Sequence, residues 1–263
     1  MTGSMHGKRG LIMGVANERS IAWGIAKAMA EAGAELAFTY QGEAFGKRLE
    51  PLAASVGSDF MVDVDVTDDA SLDTAFEQLG QRWDTIDFVV HAIAYSDKNE
   101  LTGRILNTSR ENFKNSMDIS AYSLIEVTRR AHPMMVANGG TILTLTYMGS
   151  TRVTPNYNVM GVAKAALEST VRYLANDLGP EGIRVNAISP GPMKTLAGAA
   201  IGGARKTYKH TDQNAPLRSN ATLEAVGGAA VFLASDVGAC TTGEILRVDG
   251  GFHVLGMPQQ DNL

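Results

Sequence analysis

The sequence predicts an α/β chain, a doubly wound sheet of about seven parallel strands with helices on both faces. Short apolar runs alternate strictly with longer amphipathic stretches, the pattern of successive right-handed βαβ units. Several runs are apolar at nearly every residue, as parallel strands covered on both faces must be. No Pro/Ser-rich linker, internal repeat or low-complexity block interrupts the 263 residues, so one domain spanning 1–263 is expected.

Hydrophobic residues make up 44% and charged residues 19%, which supplies a full-sized core and excludes a disordered chain. Cys240 is the single cysteine, so no internal disulfide can form, and a reducing, cytoplasmic location is expected. With 23 basic and 28 acidic residues the net charge is −5, leaving no global electrostatic case for nucleic acid. Lys8 and Arg9 precede the apolar run Leu11–Ala16, but that run is too short for a secretory signal and meets Glu18-Arg19 at once. No stretch approaches the roughly 18 apolar residues of a membrane span, so no membrane insertion is expected. Glycine is abundant, 28 against 8 prolines, and predicts several sharp turns or close backbone approaches.

The first strand, Gly10–Gly14, runs through a short loop into a helix over Ile21–Ala32. In an open α/β sheet this first turn is where a dinucleotide pyrophosphate sits, against free N–H groups at the helix N-terminus. The G-x-G-x-x-G fingerprint is absent; Gly14 stands alone, with Ser20 and Ala22 further on. The Ser20 hydroxyl could donate to a phosphate oxygen, and an ordinary loop with a serine N-cap is the plain alternative. The second strand, Glu35–Tyr40, leads to Gln41 and a helix over Phe45–Val56. This is the usual place where the adenosine ribose is read. A neutral amide can hydrogen-bond a ribose hydroxyl but cannot offset a 2′-phosphate, so NADH is expected rather than NADPH, despite Lys47 and Arg48 a turn or two later. The third strand, Asp59–Asp63, ends among Asp63, Asp65 and Asp68 before a helix over Ala70–Trp83. One of these carboxylates could accept from the adenine amino group. Alternating side-chain directions and the lack of a matching His or Cys cluster argue against a metal.

The fourth strand, Asp87–Ala92, ends near His91, read as a structural hydrogen-bonding residue, and a helical pattern follows over Arg110–Met135. The fifth strand, Thr141–Tyr147, precedes Tyr157 and Lys164, which open a helical stretch over Val159–Leu178. Seven residues apart is two helical turns, so Tyr157 and Lys164 share a face. A lysine beside a phenol favours negative charge on an oxygen there and can also hold a sugar hydroxyl, a usable proton-donor and oxyanion arrangement. Tyr147 falls at the C-terminal end of an inner strand, where ligands of such sheets bind. A bare Tyr-x6-Lys pair is equally compatible with packing. Strands at Arg184–Ile188 and Ile245–Val248 flank a helix over Leu223–Ala234 and complete the sheet.

Together the loose first turn, Tyr147, Tyr157 and Lys164 resemble the short-chain dehydrogenase/reductase superfamily, whose usual spacing is Y-x3-K. The longer Y-x6-K and the phrases Gly33–Tyr40, Pro155–Gly161 and Gly182–Ile188 are similar to its divergent branch, the bacterial enoyl-acyl-carrier-protein reductases, from about residue 7 to residue 256. The resemblance implies a Rossmann-like fold and NADH-dependent reduction of the C2=C3 bond of trans-2-enoyl thioesters on acyl carrier protein, the last reductive step of each fatty-acid elongation cycle. It implies that Tyr157 serves the thioester oxygen, Lys164 the nicotinamide ribose, and Tyr147 the substrate or proton delivery. Implied cofactor contacts are Gly14, Ser20, Ile21, Gln41, Asp65, Val66, Ile93, Lys164, Met193, Lys194, Thr195, Leu196 and Ala197, and Ser96 is implied beside the acyl substrate. Ala94 stands where many members have glycine, which would narrow the acyl pocket. Residues 194–209 are expected to form a small, flexible substrate lid, with Arg205 and Lys206 steering the acidic carrier protein; a homotetramer is the family's usual assembly. Two rival readings remain at this point. A ketone- or alcohol-acting reductase would use Thr144, thirteen residues before Tyr157, and the intact Tyr157 and Lys164 disfavour a catalytically silent NAD(H) sensor.

Overall fold

The structure, a computed structural model, describes residues 3–199 and 201–262. Seven strands, β1 (Arg9–Met13), β2 (Glu35–Tyr40), β3 (Met61–Asp63), β4 (Phe88–His91), β5 (Gly140–Leu145), β6 (Ile183–Pro190) and β7 (Ile245–Val248), form one sheet. Their order is β3-β2-β1-β4-β5-β6-β7, and every neighbouring pair is parallel. The chain starts in the middle, winds out to β3 and crosses back to β4. The reversal lies between β1 and β4, where Met13 pairs with His91, and in open sheets of this kind ligands bind beyond the carboxyl ends of the strands at such a point.

Successive residues of a strand face opposite sides, and here both sides are covered. In β1, Leu11 and Met13 join one core cluster while Ile12 joins the other. The first cluster packs beneath α3 (Asp69–Arg82), α5 (Ser123–Met135) and α6 (Asn158–Leu178) through Leu72, Leu79, Leu124, Val127, Leu167 and Val171. The second packs beneath α1 (Ile21–Glu31), α2 (Glu43–Ser55) and α9 (Leu223–Ala234) through Ile25, Met29, Leu49, Val226 and Leu233. The remaining helices are α4 (Arg110–Met117), α7 (Leu196–Ala199) and α8 (Ala204–Asn214). Among the described residues no helix is long and apolar enough to cross a membrane.

Three expectations are corrected. The helix expected over 110–135 is broken by a π-helical turn at Asp118–Tyr122. The wider turn lets Ser120 donate to the Tyr95 carbonyl and accept from the Tyr95 N–H, at 3.1 and 3.0 Å, while Ser123 meets His91 Nε2 at 2.8 Å. Strand β5 ends at Leu145, short of Tyr147, although the Thr146 N–H still donates to the Ile188 carbonyl. The 194–209 stretch is not a plain flexible loop: it forms α7 and the start of α8, while Ala200 lies outside the described residues. The Asn220 amide anchors α8 by donating to the Tyr208 carbonyl and Asp212 Oδ1, and Gln259 holds Asn214 at its end.

Candidate active site

The first turn runs tight against the residue that follows β4. Gly14 ends β1 at φ +93, and a Cβ there would lie 2.1 Å from the Ala92 carbonyl oxygen, so only glycine fits. Ser20 occupies the N-cap of α1 yet makes no capping bond to the helix. Its Oγ instead accepts from the N–H groups of Ala16 and Asn17, at 3.0 and 3.1 Å, folding the loop onto itself. With both lone pairs used, the proton of the hydroxyl is what remains to offer a ligand. The caps of α3, α4 and α9 (Asp68, Ser109 and Thr222) do bind their own helices, so α1 keeps N–H groups at Ile21 and Ala22 for an anion.

Gln41 follows β2 and Asp65 follows β3, and the Gln41 side chain is near enough to Asp65 to help lower its pKa. Asp65 Oδ1 accepts from the Thr67 N–H and hydroxyl, at 2.9 and 2.7 Å, and these bonds hold its carboxyl below the ordinary range. The neighbouring acids have backbone duties: Asp63 accepts from Gly42 and Asp68 caps α3. Lys47 pairs with Glu43 and Arg48 lies over Phe45, so both bases that follow Gln41 are engaged within α2. Val66 and Ile93 pack on the first core cluster.

Tyr157 sits at the N-cap of α6, flanked by Asn156 and Asn158 at φ 59 and 35. Its ring is buried, meets Tyr147 edge-on with centroids 5.1 Å apart, and clusters with Leu101 and Met160. Burial, reinforced by Tyr147 and Glu168, pushes the Tyr157 phenol well up; burial and the Asp249 charge push Tyr147 up to about 12. Both therefore stand as neutral donors at pH 7. Lys164, two turns along α6, is 6% exposed and donates from Nζ to the Leu145 carbonyl at 2.7 Å. Burial pulls its pKa down to about 8, countered by the charge of Glu168. The structure brings the Tyr147 and Tyr157 rings into contact and, two turns along α6 from Tyr157, seats Lys164 Nζ on the Leu145 carbonyl at the end of β5.

Other expected residues are placed less directly. Ser96 donates to Asn112 Oδ1 at 3.2 Å in the loop after β4, where Ala94 is exposed. Met193 packs on the second core, Thr195 caps α7 by accepting from the Gly198 N–H at 2.9 Å, and Lys194 Nζ lies 4.6 Å from the Tyr208 ring centroid. Leu196 is half-exposed on α7, which also carries Ala197. Arg205 and Lys206 are exposed on α8, together with Lys209. Thr144 is buried with its hydroxyl between His91 Nδ1 and the His91 carbonyl, so it serves β4. His91 is structural as expected, its pKa driven down to about 3 by burial and by Lys164.

Residues missed from sequence include Gly149, where a Cβ would lie 2.4 Å from Tyr157 Cδ1, Glu168, and Asn156, whose amide donates to the Gly202 carbonyl at 2.7 Å. Spacing could have flagged Glu168, four residues after Lys164 on the same face.

A family model described as enoyl-(acyl carrier protein) reductase matches residues 14–253. Enoyl-[acyl-carrier-protein] reductase [NADH] 2 of Rhizobium meliloti is 58% identical over 263 residues, 100% of this chain and 98% of its own. A crystal structure of FabI from Candidatus Liberibacter asiaticus superposes with a TM-score of 0.96 at 53% identity, covering 98% of this chain and 100% of its own. The enoyl-(acyl-carrier-protein) reductase of Anaplasma phagocytophilum, solved in complex with NAD, gives 0.95 at 53% identity with 98% of each chain covered. With identity above one half along nearly the whole length of both partners, and a family model spanning the first turn to the last loop, this chain belongs to the enoyl-(acyl carrier protein) reductase family.

Proposed function

We infer that the chain reduces the C2=C3 double bond of trans-2-enoyl thioesters carried by acyl carrier protein, with NADH supplying the hydride when bound. The observation that carries this reading is the buried, neutral Tyr157 beside Tyr147, with Lys164 on the same helix face, at the carboxyl edge of β5. The first turn fits the cofactor: Gly14 takes a left-handed bend tight against Ala92, Ser20 has a proton to give, and α1 presents free N–H groups. Gln41 and Asp65 would hold the adenosine end, with Ile21, Val66, Ile93, Met193, Lys194, Thr195, Leu196 and Ala197 along the remainder. Lys164 would hold the nicotinamide ribose hydroxyls.

Reduction at C3 places negative charge on the thioester oxygen, and the Tyr157 hydroxyl is the donor that meets it. Because burial keeps this phenol protonated, its hydrogen bond strengthens as the charge develops, which is the interaction that lowers a barrier. Tyr147, also neutral, positions the substrate or supports protonation at C2, and Ser96 lies toward the acyl chain. Ketone reduction through Thr144 is disfavoured because that hydroxyl is committed to His91.

Residues 194–209 serve as the substrate lid: Ile201 packs against the cluster of Tyr157, Leu101 and Met160, and Asn156 binds the Gly202 carbonyl. Arg205 and Lys206, on the exposed face of α8, would steer the acidic carrier protein. A homotetramer is favoured by exposed Phe113, Tyr122, Val162 and Tyr173 on α4, the π turn and α6, and a cytoplasmic location by the lone Cys240. The test is Tyr157→Phe, assayed at 340 nm with crotonyl thioester and with NADH and NADPH in parallel. Turnover should fall about 10²–10³-fold with NADH affinity near that of the wild type; unchanged turnover would remove Tyr157 from the chemistry.

A further inference from the structure

The turn that carries Tyr147 is held in place by a carboxylate to which the reaction assigns no part. Glu168 lies one helical turn beyond Lys164 on α6 and is 4% exposed. Its Oε1 accepts from Thr146 Oγ1 at 2.7 Å and from Ser150 Oγ at 2.5 Å. These hydroxyls stand on either side of Tyr147, one residue before it and three after. Both bonds converge on a single oxygen of the helix that also carries Tyr157 and Lys164.

We propose that Glu168 is a positioning residue of the active site, clamping both ends of the Tyr147 turn onto α6 and setting the electrostatic environment of Lys164. The proposal rests on the roles given above to Tyr147, Tyr157 and Lys164. Hydrogen bonds to an ionised carboxylate are about twice as strong as neutral ones, so one buried group can fix a turn that lies beyond the last residue of β5. The edge-on contact of Tyr147 with Tyr157 depends on that turn, because α6 alone places only the second ring.

The same carboxylate acts on Lys164, whose ammonium is buried and bonded to a single carbonyl, Leu145. The groups around that ammonium give it no other support. The ammonium acts on His91 in β4, which burial keeps neutral, and the phenols of Tyr147 and Tyr157, after β5 and at the start of α6, stay neutral as well. Asp249, after β7, acts on Tyr147 and is engaged by His253, and Glu126 on α5 is held by Arg129 and Arg130. The negative charge that offsets the burial of Lys164 is that of Glu168.

Glu168→Gln keeps the shape and removes the charge; Thr146→Val with Ser150→Ala keeps the carboxylate and removes both donors. Each is compared with wild type by thermal melting, by turnover of crotonyl thioester, and by NADH dissociation constant from pH 6 to 10. In Glu168→Gln the alkaline pH at which NADH binding weakens should move down by about one unit, since Lys164 loses its proton sooner, and kcat should fall about tenfold. The double variant should also lose about tenfold in kcat. A merely structural role would leave the pH limb where it is, so a folded Glu168→Gln with the wild-type limb overturns the electrostatic part. Wild-type kcat in the double variant overturns the clamp, and decides that point even if Glu168→Gln fails to melt cooperatively. Failure of wild type to reduce crotonyl thioester would count against the function itself, while the binding curves still report on Glu168.

Discussion

Gly149→Ala puts one methyl group against the ring of Tyr157, the proposed donor to the thioester oxygen. The backbone at Gly149 is one any residue adopts, so the substitution acts through space alone. The new Cβ would lie 2.4 Å from Tyr157 Cδ1 and 2.8 Å from Cε1. Carbon atoms in ordinary contact sit about 3.5 Å apart, so ring and turn must separate by about 1 Å. The turn is tied to α6 through Ser150 and Glu168, which leaves the Tyr157 ring to give way. A misplacement of about 1 Å in a reacting group costs on the order of 100-fold, about 2.7 kcal/mol of transition-state stabilisation. The expected result is kcat reduced by about two orders of magnitude with crotonyl thioester. NADH affinity should hold within about twofold, because Gly14, Ser20, Gln41 and Asp65 lie on other elements, a difference too small to matter at saturating cofactor. Overpacking should lower stability by about 1–3 kcal/mol, visible as a lower but cooperative melt. A folded variant with wild-type kcat would refute the claim that this contact places the ring.

Three further outcomes are expected. Gly14→Ala, strained at φ +93 and driven 2.1 Å from the Ala92 oxygen, should weaken NADH binding more than tenfold and destabilise the fold; calorimetric affinity equal to wild type would refute the cradle. His91 binds its proton near pH 3 when folded and near 6.5 when unfolded, so the unfolded state holds more protons between those values and stability falls as pH drops through that window, by up to about 5 kcal/mol. Denaturant titrations from pH 7 to 4 should show this slope, and His91→Asn should flatten it. Arg205→Glu with Lys206→Glu should slow reduction of carrier-protein-linked substrate about tenfold at low salt and spare small crotonyl thioesters; equal rates would dismiss α8 as the docking face.

Much of the fold was legible because burial on both faces writes itself into composition. Phe88–His91 and Ile183–Pro190 are nearly uninterrupted runs of buried residues, and their positions in the chain follow from that alone. The pairing of Tyr157 with Lys164 was legible for a similar reason, since seven residues on a helix is a fixed geometry. The break at Asp118–Tyr122 was not, because it answers to Tyr95 and His91, which arrive from another part of the chain. The left-handed backbone of Asn156 and Asn158 was equally silent, since asparagine adopts many conformations and only the loops it ties select this one. The helical order of α8 depends likewise on Asn220 and Gln259, distant partners that local propensity does not see.

By itself, the sequence determined the seven-strand α/β architecture, the neutral side chain at Gln41, and the placing of Tyr157 and Lys164 on one helix face. Periodicity, burial and charge are local properties, and each residue carries its own. Only the tertiary structure decided how those side chains are tuned: Tyr157 kept protonated, Lys164 brought down to about 8, Thr144 diverted to His91, and the Tyr147 turn bound by Glu168. Each of these depends on low-dielectric contact between groups far apart in the chain, and such contacts exist only once the sheet has assembled beneath them.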